Sequence, residues 1–173
     1  LNKKTIWFEA NPKIINDLSD NVLQFTNQKV IHSVLSDKDD EIIDFNISSN
    51  DGASSSLFLF GEANNIHQGI KMTHSIKLKT STIDSIVNKN NINIIDYDFW
   101  VIDLQGAELK ALKGAQNSLK SCRYIHVEIS KGDVYKNGVK WHELNEFLQR
   151  KGFESSWIPE EMHTEVLYVK NKT

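Results

Sequence analysis

The chain has 173 residues, 39% of them hydrophobic and 25% charged, which is typical of one globular domain. Its net charge of −3 and the scatter of its Lys and Arg residues argue against a nucleic-acid partner, and no apolar stretch reaches the roughly 18 residues that a membrane span needs. A single cysteine, Cys122, excludes an intramolecular disulfide, and no signal peptide opens the chain. We therefore expect a cytoplasmic protein with no nucleic-acid and no membrane partner, whose oligomeric state the sequence leaves open.

The first part of the chain predicts short strands and a helix. TIWFEA at 5–10 has the apolar character of a buried strand. Asn11 followed by Pro12 favours a helix start, because Asn caps free N–H groups and Pro suits the first helical position. Residues 30–35 and 41–47 are predicted as the second and third strands.

The middle of the chain contains a Ser-rich loop, GASSSL at 52–57, and an alternating strand pattern at 75–79. Thr82 is a candidate N-cap for a short helix over 83–89. Residues 58–74 have no clear period and predict no element.

The second half alternates strands and helices. The predicted helices are 107–120 and one that ends at Gly152, a favoured C-terminal stop. The predicted strands are 98–104, 123–130, 153–158 and 165–170, the last two paired as an antiparallel hairpin. This alternation predicts an α/β fold with a mostly parallel sheet and helices on both faces.

Ligands of an open α/β sheet bind beyond the carboxyl ends of its strands. Polar side chains follow four of the predicted strands there: Glu9, Ser36, Asp37, Asp103, Gln105, Glu128 and Ser130. Glu9 can accept hydrogen bonds from the ribose hydroxyls of a nucleotide cofactor, or it can simply favour the helix that follows it. Asp103 precedes Gly106, where the backbone can turn tightly, so it either lies near a transferred group or belongs to a capping turn.

Other titratable residues allow more than one interpretation. Glu108 falls in the first turn of the predicted helix, where it suits the helix dipole or a functional role equally well. His126 is predicted to be a packing residue, while His142 and His163 are both candidates for a general base. No His, Cys or carboxylate spacing typical of a metal site occurs, so we predict no metal.

Several segments together carry a family resemblance. They are WFEANP at 7–12, VIHSVLSDKDDE at 30–41, GASSSL at 52–57, TSTIDSI at 80–86, DLQGAELKALKGA at 103–115, YIHVEIS at 124–130 and RKGF at 150–153. With these segments in this order, the chain resembles the FkbM-type S-adenosylmethionine-dependent methyltransferases. The segment at 103–115 is the most specific of them.

The resemblance implies a Rossmann-like methyltransferase fold with a seven-stranded sheet whose last strand is antiparallel. It also implies S-adenosyl-L-methionine as the cofactor and O-methylation of a hydroxyl on a small molecule or glycan acceptor. By position, Glu9 would hold the cofactor ribose, and Ser36 and Asp37 would lie near the adenine. Asp103 would face the sulfonium and the acceptor, as both a cofactor contact and the catalytic residue, while 54–56 would belong to the acceptor-side loop.

The chain departs from the family at its beginning. A first strand and a glycine-rich turn should precede Glu9, yet only eight residues do so and no G-x-G element occurs. We therefore interpret 1–173 as a single methyltransferase domain that is N-terminally incomplete. The alternatives are a non-catalytic Rossmann-like interaction module and an NAD-dependent oxidoreductase.

Overall fold

The computed structural model describes residues 3–62 and 68–171, and so leaves out part of the 58–74 stretch for which the sequence predicts no element. In these ranges the elements are β1 (Thr5–Glu9), α1 (Ile14–Val22), β2 (Gln28–His32), β3 (Val34–Leu35), β4 (Ile42–Ser48), β5 (Met72–Ser81), α2 (Ile83–Lys89), β6 (Phe99–Ile102), α3 (Glu108–Lys113), β7 (Tyr124–Ser130), α4 (Trp141–Arg150), β8 (Phe153–Ser155) and β9 (His163–Lys170). The α/β class is confirmed. None of the helices in the described ranges has both the length and the apolar character that crossing a bilayer requires.

The strands form mixed sheets. The β1–β2, β3–β5 and β6–β7 pairs are parallel, whereas the β4–β5, β7–β9 and β8–β9 pairs are antiparallel. The predicted hairpin of the last two strands is confirmed. The prediction of a mostly parallel sheet is wrong for the described residues, because β4 and β9 each return alongside a neighbour in the opposite direction.

The sheet is also divided. The strand orders are β1-β2, β3-β5-β4 and β6-β7-β9-β8, in place of the one seven-stranded sheet that the resemblance implies. In the described part of the chain, β1 and β6 do not pair with each other. Each of them is therefore an edge strand at which the hydrogen-bond ladder stops. The amino ends of the two strands are nevertheless linked, because Lys4 Nζ lies 2.6 Å from Asp96 Oδ2.

The main core lies on one face of the four-stranded sheet. Ile125 and Val127 of β7 are fully buried there, next to Tyr168 and Val166, their register partners on β9. Helices α2, α3 and α4 contribute further buried residues to this core, among them Ile86, Leu112, Leu144 and Leu148. Cys122 is fully buried in the same core, and this burial raises its pKa to about 12, as expected for a packing residue.

The opposite face of this sheet is less covered. Phe99 and Val101 of β6 are exposed by 51% and 69%. The expectation of helices on both faces is therefore not met at β6. Helix α1, which does not belong to the main core, packs against β2 instead.

Two of the predicted elements are interrupted, and each interruption has a local cause. The predicted strand at 30–35 divides at Ser33, whose N–H donates to the Glu9 carbonyl while the residues on either side pair with different strands. The predicted helix at 107–120 breaks at Gly114. A Cβ at Gly114 would lie 2.1 Å from the Ser36 carbonyl oxygen, so this close approach of two backbones requires glycine.

Candidate active site

A cavity of about 170 Å³ opens at the carboxyl ends of β1 and β6. Its walls are the end of β1, the segment 33–35, the Ser-rich loop, and the turn that follows β6. Glu9 and Asp103 both line it. The structure therefore brings together the two carboxylates that the sequence analysis placed at separate strand ends.

The wall formed by Glu9 carries hydrogen-bonding groups that suit hydroxyls. Glu9 Oε1 accepts the Asn11 N–H at 2.6 Å, and within the described residues its second carboxylate oxygen has no hydrogen bond. Ser33 also lines the cavity, and its Oγ is buried without a hydrogen-bond partner among the described residues. A carboxylate acceptor beside an unsatisfied hydroxyl fits the vicinal hydroxyls of a ribose.

Ser36 and Asp37 lie just beyond the cavity wall and do not line it. Ser36 is buried, and its Oγ donates to Asp37 Oδ1, which also lies 3.0 Å from Lys110 Nζ. Desolvation acts to raise the pKa of Asp37, but the hydrogen bonds from Lys110, the backbone and Ser36 outweigh it and lower the pKa. Both residues are thus engaged with protein groups here, and their proximity to an adenine stays a prediction.

The turn after β6 holds Asp103 in place. Gln105 has a φ of 53° and Gly106 a φ of 96°, so the backbone turns through the left-handed region. Glu108 Oε1 accepts the N–H groups of Leu104 and Gly106 at 2.9 and 3.0 Å, which ties the turn from beneath. A Cβ at Gly106 would lie 3.0 Å from the Cβ of Tyr135, so the packed turn also favours glycine.

Glu108 is a buried part of this turn, with only 2% of its surface exposed. Desolvation raises its pKa to about 7, although hydrogen bonds from backbone N–H groups oppose the shift. Neither sequence interpretation describes this arrangement, because the carboxylate binds the loop that carries Asp103.

Three carboxylates converge at this point. The oxygens of Asp103, Glu108 and Glu128 lie within 4.8 Å of one another. Asp103 is among the exposed residues, yet desolvation of its carboxylate and then the charge of Glu128 raise its pKa. Like charges this close disfavour each other, and this repulsion adds to the desolvation that raises the pKa of Asp103. The prediction that no metal is bound stays a prediction.

His163 pairs with this cluster from the next strand. Its Nε2 lies 2.9 Å from Glu128 Oε1, and its Nδ1 lies 2.8 Å from Ser130 Oγ. The hydrogen bond with Glu128 raises the pKa of His163 and outweighs the opposing effect of burial. His142, the other candidate base, is exposed at the start of α4 and does not line the cavity. The structure thus separates two histidines that the sequence could not rank.

Gln105 and Tyr135 complete the cluster, and the sequence analysis assigned no role to either. Gln105 Nε2 donates to Asp103 Oδ1 and, at 3.4 Å, to Glu128 Oε2, while the Tyr135 hydroxyl donates to Gln105 Oε1. The strand-end rule that selected Asp103 also pointed to Gln105 and Glu128. No sequence signal identifies Tyr135, because it lies in a segment with no predicted element.

Comparison with known proteins relates the chain to one family. Residues 2–155 match the family model described as the methyltransferase FkbM domain. The chain is 25% identical over 147 residues to the 2-O-methyltransferase NoeI of Sinorhizobium fredii (strain NBRC 101917 / NGR234), an alignment that covers 82% of the chain and 59% of that protein. The chain thus spans about three-fifths of that relative's length, and no solved structure matches it. Because the family model covers most of the chain, the chain belongs to the FkbM methyltransferase family.

Proposed function

We propose that the chain is an S-adenosylmethionine-dependent O-methyltransferase that acts on a hydroxyl of a small molecule or glycan. The observation that carries this proposal is that Glu9 and Asp103 line one cavity at the carboxyl ends of β1 and β6, where α/β sheets bind ligands. Membership of the methyltransferase family and the printed name of the 2-O-methyltransferase relative support the choice of reaction. A Rossmann-like arrangement and a cytoplasmic location belong to the same proposal.

Two parts of the cavity wall would hold the cofactor. Glu9 and Ser33 would bind the ribose hydroxyls, and Ser36 and Asp37 beyond Leu35 would lie near the adenine. The cavity of about 170 Å³ is smaller than the roughly 300–1,000 Å³ of typical ligand sites, so it would hold only part of the cofactor. Asp103 on the opposite wall would add a negative charge that favours a sulfonium.

S-adenosylmethionine supplies, when bound, a methyl group on a positively charged sulfur that a hydroxyl oxygen can attack. The chain's contribution is then alignment and proton removal. Asp103 is the proton acceptor in this proposal, since its carboxylate borders the cavity and the turn from Leu104 to Glu108 holds it rigidly. The acceptor hydroxyl would approach from the open side of the cavity.

Calorimetry with S-adenosylmethionine on the full-length protein tests the cofactor site. Glu9→Gln should weaken binding by about tenfold to a hundredfold, because a hydrogen bond to a charged group contributes about 1.5–3 kcal/mol. The matched control is Glu41→Gln, which changes a carboxylate that pairs with Lys38 and does not line the cavity. No binding heat from the unaltered protein would instead favour the non-catalytic interaction module.

The reaction is tested with radiolabelled S-adenosylmethionine and a panel of methyl glycosides that differ in which hydroxyl is free. Label in the sugar, and its position by mass spectrometry, would identify the acceptor class. A fluorescence titration with NADH addresses the oxidoreductase alternative, for which Glu9 alone would also be suitable. Tight NADH binding without S-adenosylmethionine binding would contradict the proposed function.

A further inference from the structure

The carboxylate cluster brings three acidic side chains close together, with few cationic groups beside them among the described residues. Asp103, Glu108 and Glu128 place their oxygens within 4.8 Å of one another. Within residues 3–62 and 68–171, no Lys or Arg forms an ion pair with any of the three, and His163 supplies the one cationic partner. We therefore ask how the charge of His163, which pairs with Glu128, affects the protonation of Asp103.

The geometry excludes His163 from direct contact with a ligand in the cavity. His163 does not line the cavity, and its two ring nitrogens are engaged by Glu128 at 2.9 Å and Ser130 at 2.8 Å. Glu128 stands between His163 and Asp103, bonded to the imidazole through Oε1 and to Gln105 through Oε2. The order of the groups is thus Asp103, Glu128, His163, running away from the cavity.

We infer that Glu128 and His163 are positioning residues for Asp103, and that the imidazolium of His163 keeps Asp103 ionised so that it can accept the acceptor's hydroxyl proton. This inference rests on the proposed function. As the new oxygen–carbon bond forms and the carbon–sulfur bond breaks with its electron pair left on sulfur, Asp103 takes up the hydroxyl proton. The proton leaves to water from the exposed Asp103 side chain, and no other reactant is needed.

Other titratable groups surround the cluster and set the background against which His163 acts. They are Glu9, which lines the same cavity as Asp103, Glu108, which binds the turn, Tyr135 from the loop before α4, Lys131, which follows Ser130, and Glu165, which faces Glu128 in the strand register. Glu9, Glu108 and Glu165 make the surroundings more negative, which disfavours ionisation of Asp103. Against this background, His163 is the one group in the described parts of the chain that would bring positive charge into contact with the cluster.

The pH profile of methyl transfer separates charge from geometry. His163→Gln retains an amide that can donate to Glu128 but removes the positive charge, so the pKa of Asp103 rises and the acid limb of the profile moves to higher pH. We expect turnover to fall roughly tenfold at the acid end and to recover at the alkaline end, well short of the hundredfold or more that loss of a proton acceptor costs. His163→Lys, which keeps a cation, should leave the acid limb near its original position.

Two outcomes of this experiment overturn the inference. Loss of turnover at every pH in His163→Gln would make His163 itself the proton acceptor. An unchanged profile would show that its charge does not reach Asp103. Should His163→Gln fail to fold, Ser130→Ala keeps the imidazole and removes only the hydrogen bond to Nδ1, and it should shift the acid limb in the same direction by less.

Nuclear magnetic resonance titration of the His163 imidazole gives a readout that needs no activity. Glu128→Gln and, to a smaller extent, Asp103→Asn should move its titration midpoint to lower pH, because each removes a negative charge that favours the imidazolium. The control is Glu41→Gln, which should leave the midpoint in place. A midpoint that is unchanged by Asp103→Asn would overturn the inference, whereas failure of S-adenosylmethionine to bind would overturn the proposed function and leave the charge coupling between His163 and Asp103 standing.

Discussion

Two His–Glu pairs join the same two strands, β7 and β9. They consist of the same residue types but differ in distance, burial and neighbouring groups. The cleft pair, which belongs to the carboxylate cluster, is His163 and Glu128: His163 Nε2 lies 2.9 Å from Glu128 Oε1, and the side chains are 19% and 18% exposed. The outer pair is His126 and Glu165: His126 Nε2 lies 3.5 Å from Glu165 Oε2, and the side chains are 31% and 64% exposed. Solvent screens the outer pair, whereas the cleft pair acts on two further carboxylates. The comparison teaches that the role of such a pair depends on burial and neighbours, which residue type alone does not specify.

The largest expected effect tests what the cleft pair acts upon. Asp103→Asn should lower turnover by about a hundredfold or more, well beyond any weakening of S-adenosylmethionine binding from the lost negative charge, because it removes the proton acceptor without altering the shape of the turn. The measurement is kcat for methyl transfer together with calorimetry. Asp98→Asn, at the amino end of the same strand and away from the cavity, is the matched control. Equal turnover in Asp103→Asn and the unaltered protein would remove Asp103 from the mechanism.

The next effect concerns Glu108, the buried carboxylate that lies beside Glu128 of the cleft pair. Because burial raises the folded-state pKa of Glu108 from 4.5 to about 7, the folded state binds more protons than the unfolded state between these values. The stability present below pH 4.5 is therefore lost as pH rises through about 7, and 2.5 units at 1.36 kcal/mol per unit correspond to about 3 kcal/mol.

Glu108→Gln keeps an acceptor for the two backbone N–H groups but removes the titration, so it should lessen this decline in urea-denaturation experiments at pH 5 and pH 8. Glu143→Gln provides the control, because Glu143 is an exposed carboxylate in the first turn of α4 that accepts the Lys140 N–H. If both variants kept the decline of the unaltered protein, Glu108 would not be its source.

The smallest effect measures the two pairs directly. Double-mutant cycles with His163→Ala and Glu128→Ala should give a coupling of about 1.5–3 kcal/mol, typical of a hydrogen bond to a charged group. The corresponding cycle for His126 and Glu165 should give about 0.2–1 kcal/mol. Since the pKa of His163 is raised, the cleft coupling should be fully present below pH 6.5 and be lost as pH rises through the folded-state pKa. Equal couplings for the two pairs would contradict the distinction drawn between them.

Local sequence signals identified most of the described elements and several residues of the candidate site, among them Glu9, Asp103 and Glu128. Hydrophobic patterns predicted strands at 5–10 and 98–104, which the structure gives as Thr5–Glu9 and Phe99–Ile102. Capping chemistry predicted the helix at Thr82, whose hydroxyl accepts the Ser85 N–H. These signals work because each depends on neighbours within a few positions along the chain. The strand-end rule then placed Glu9 and Asp103 at one cavity, although it extended the same expectation to Ser36 and Asp37, which do not line it.

The amino-acid sequence by itself determined the α/β class, the C-terminal hairpin and, through the segment at 103–115, the family. Tertiary structure alone decided that β4 runs antiparallel to β5 and β9 to β7, that Glu108 binds the backbone of the turn that carries Asp103, and that His163 rather than His142 joins the cluster. Glu128 and His163 are 35 positions apart, and the register of β7 against β9 brings them within hydrogen-bond distance. Burial and pairing of this kind depend on contacts between distant parts of the chain, and no local pattern of residues encodes them.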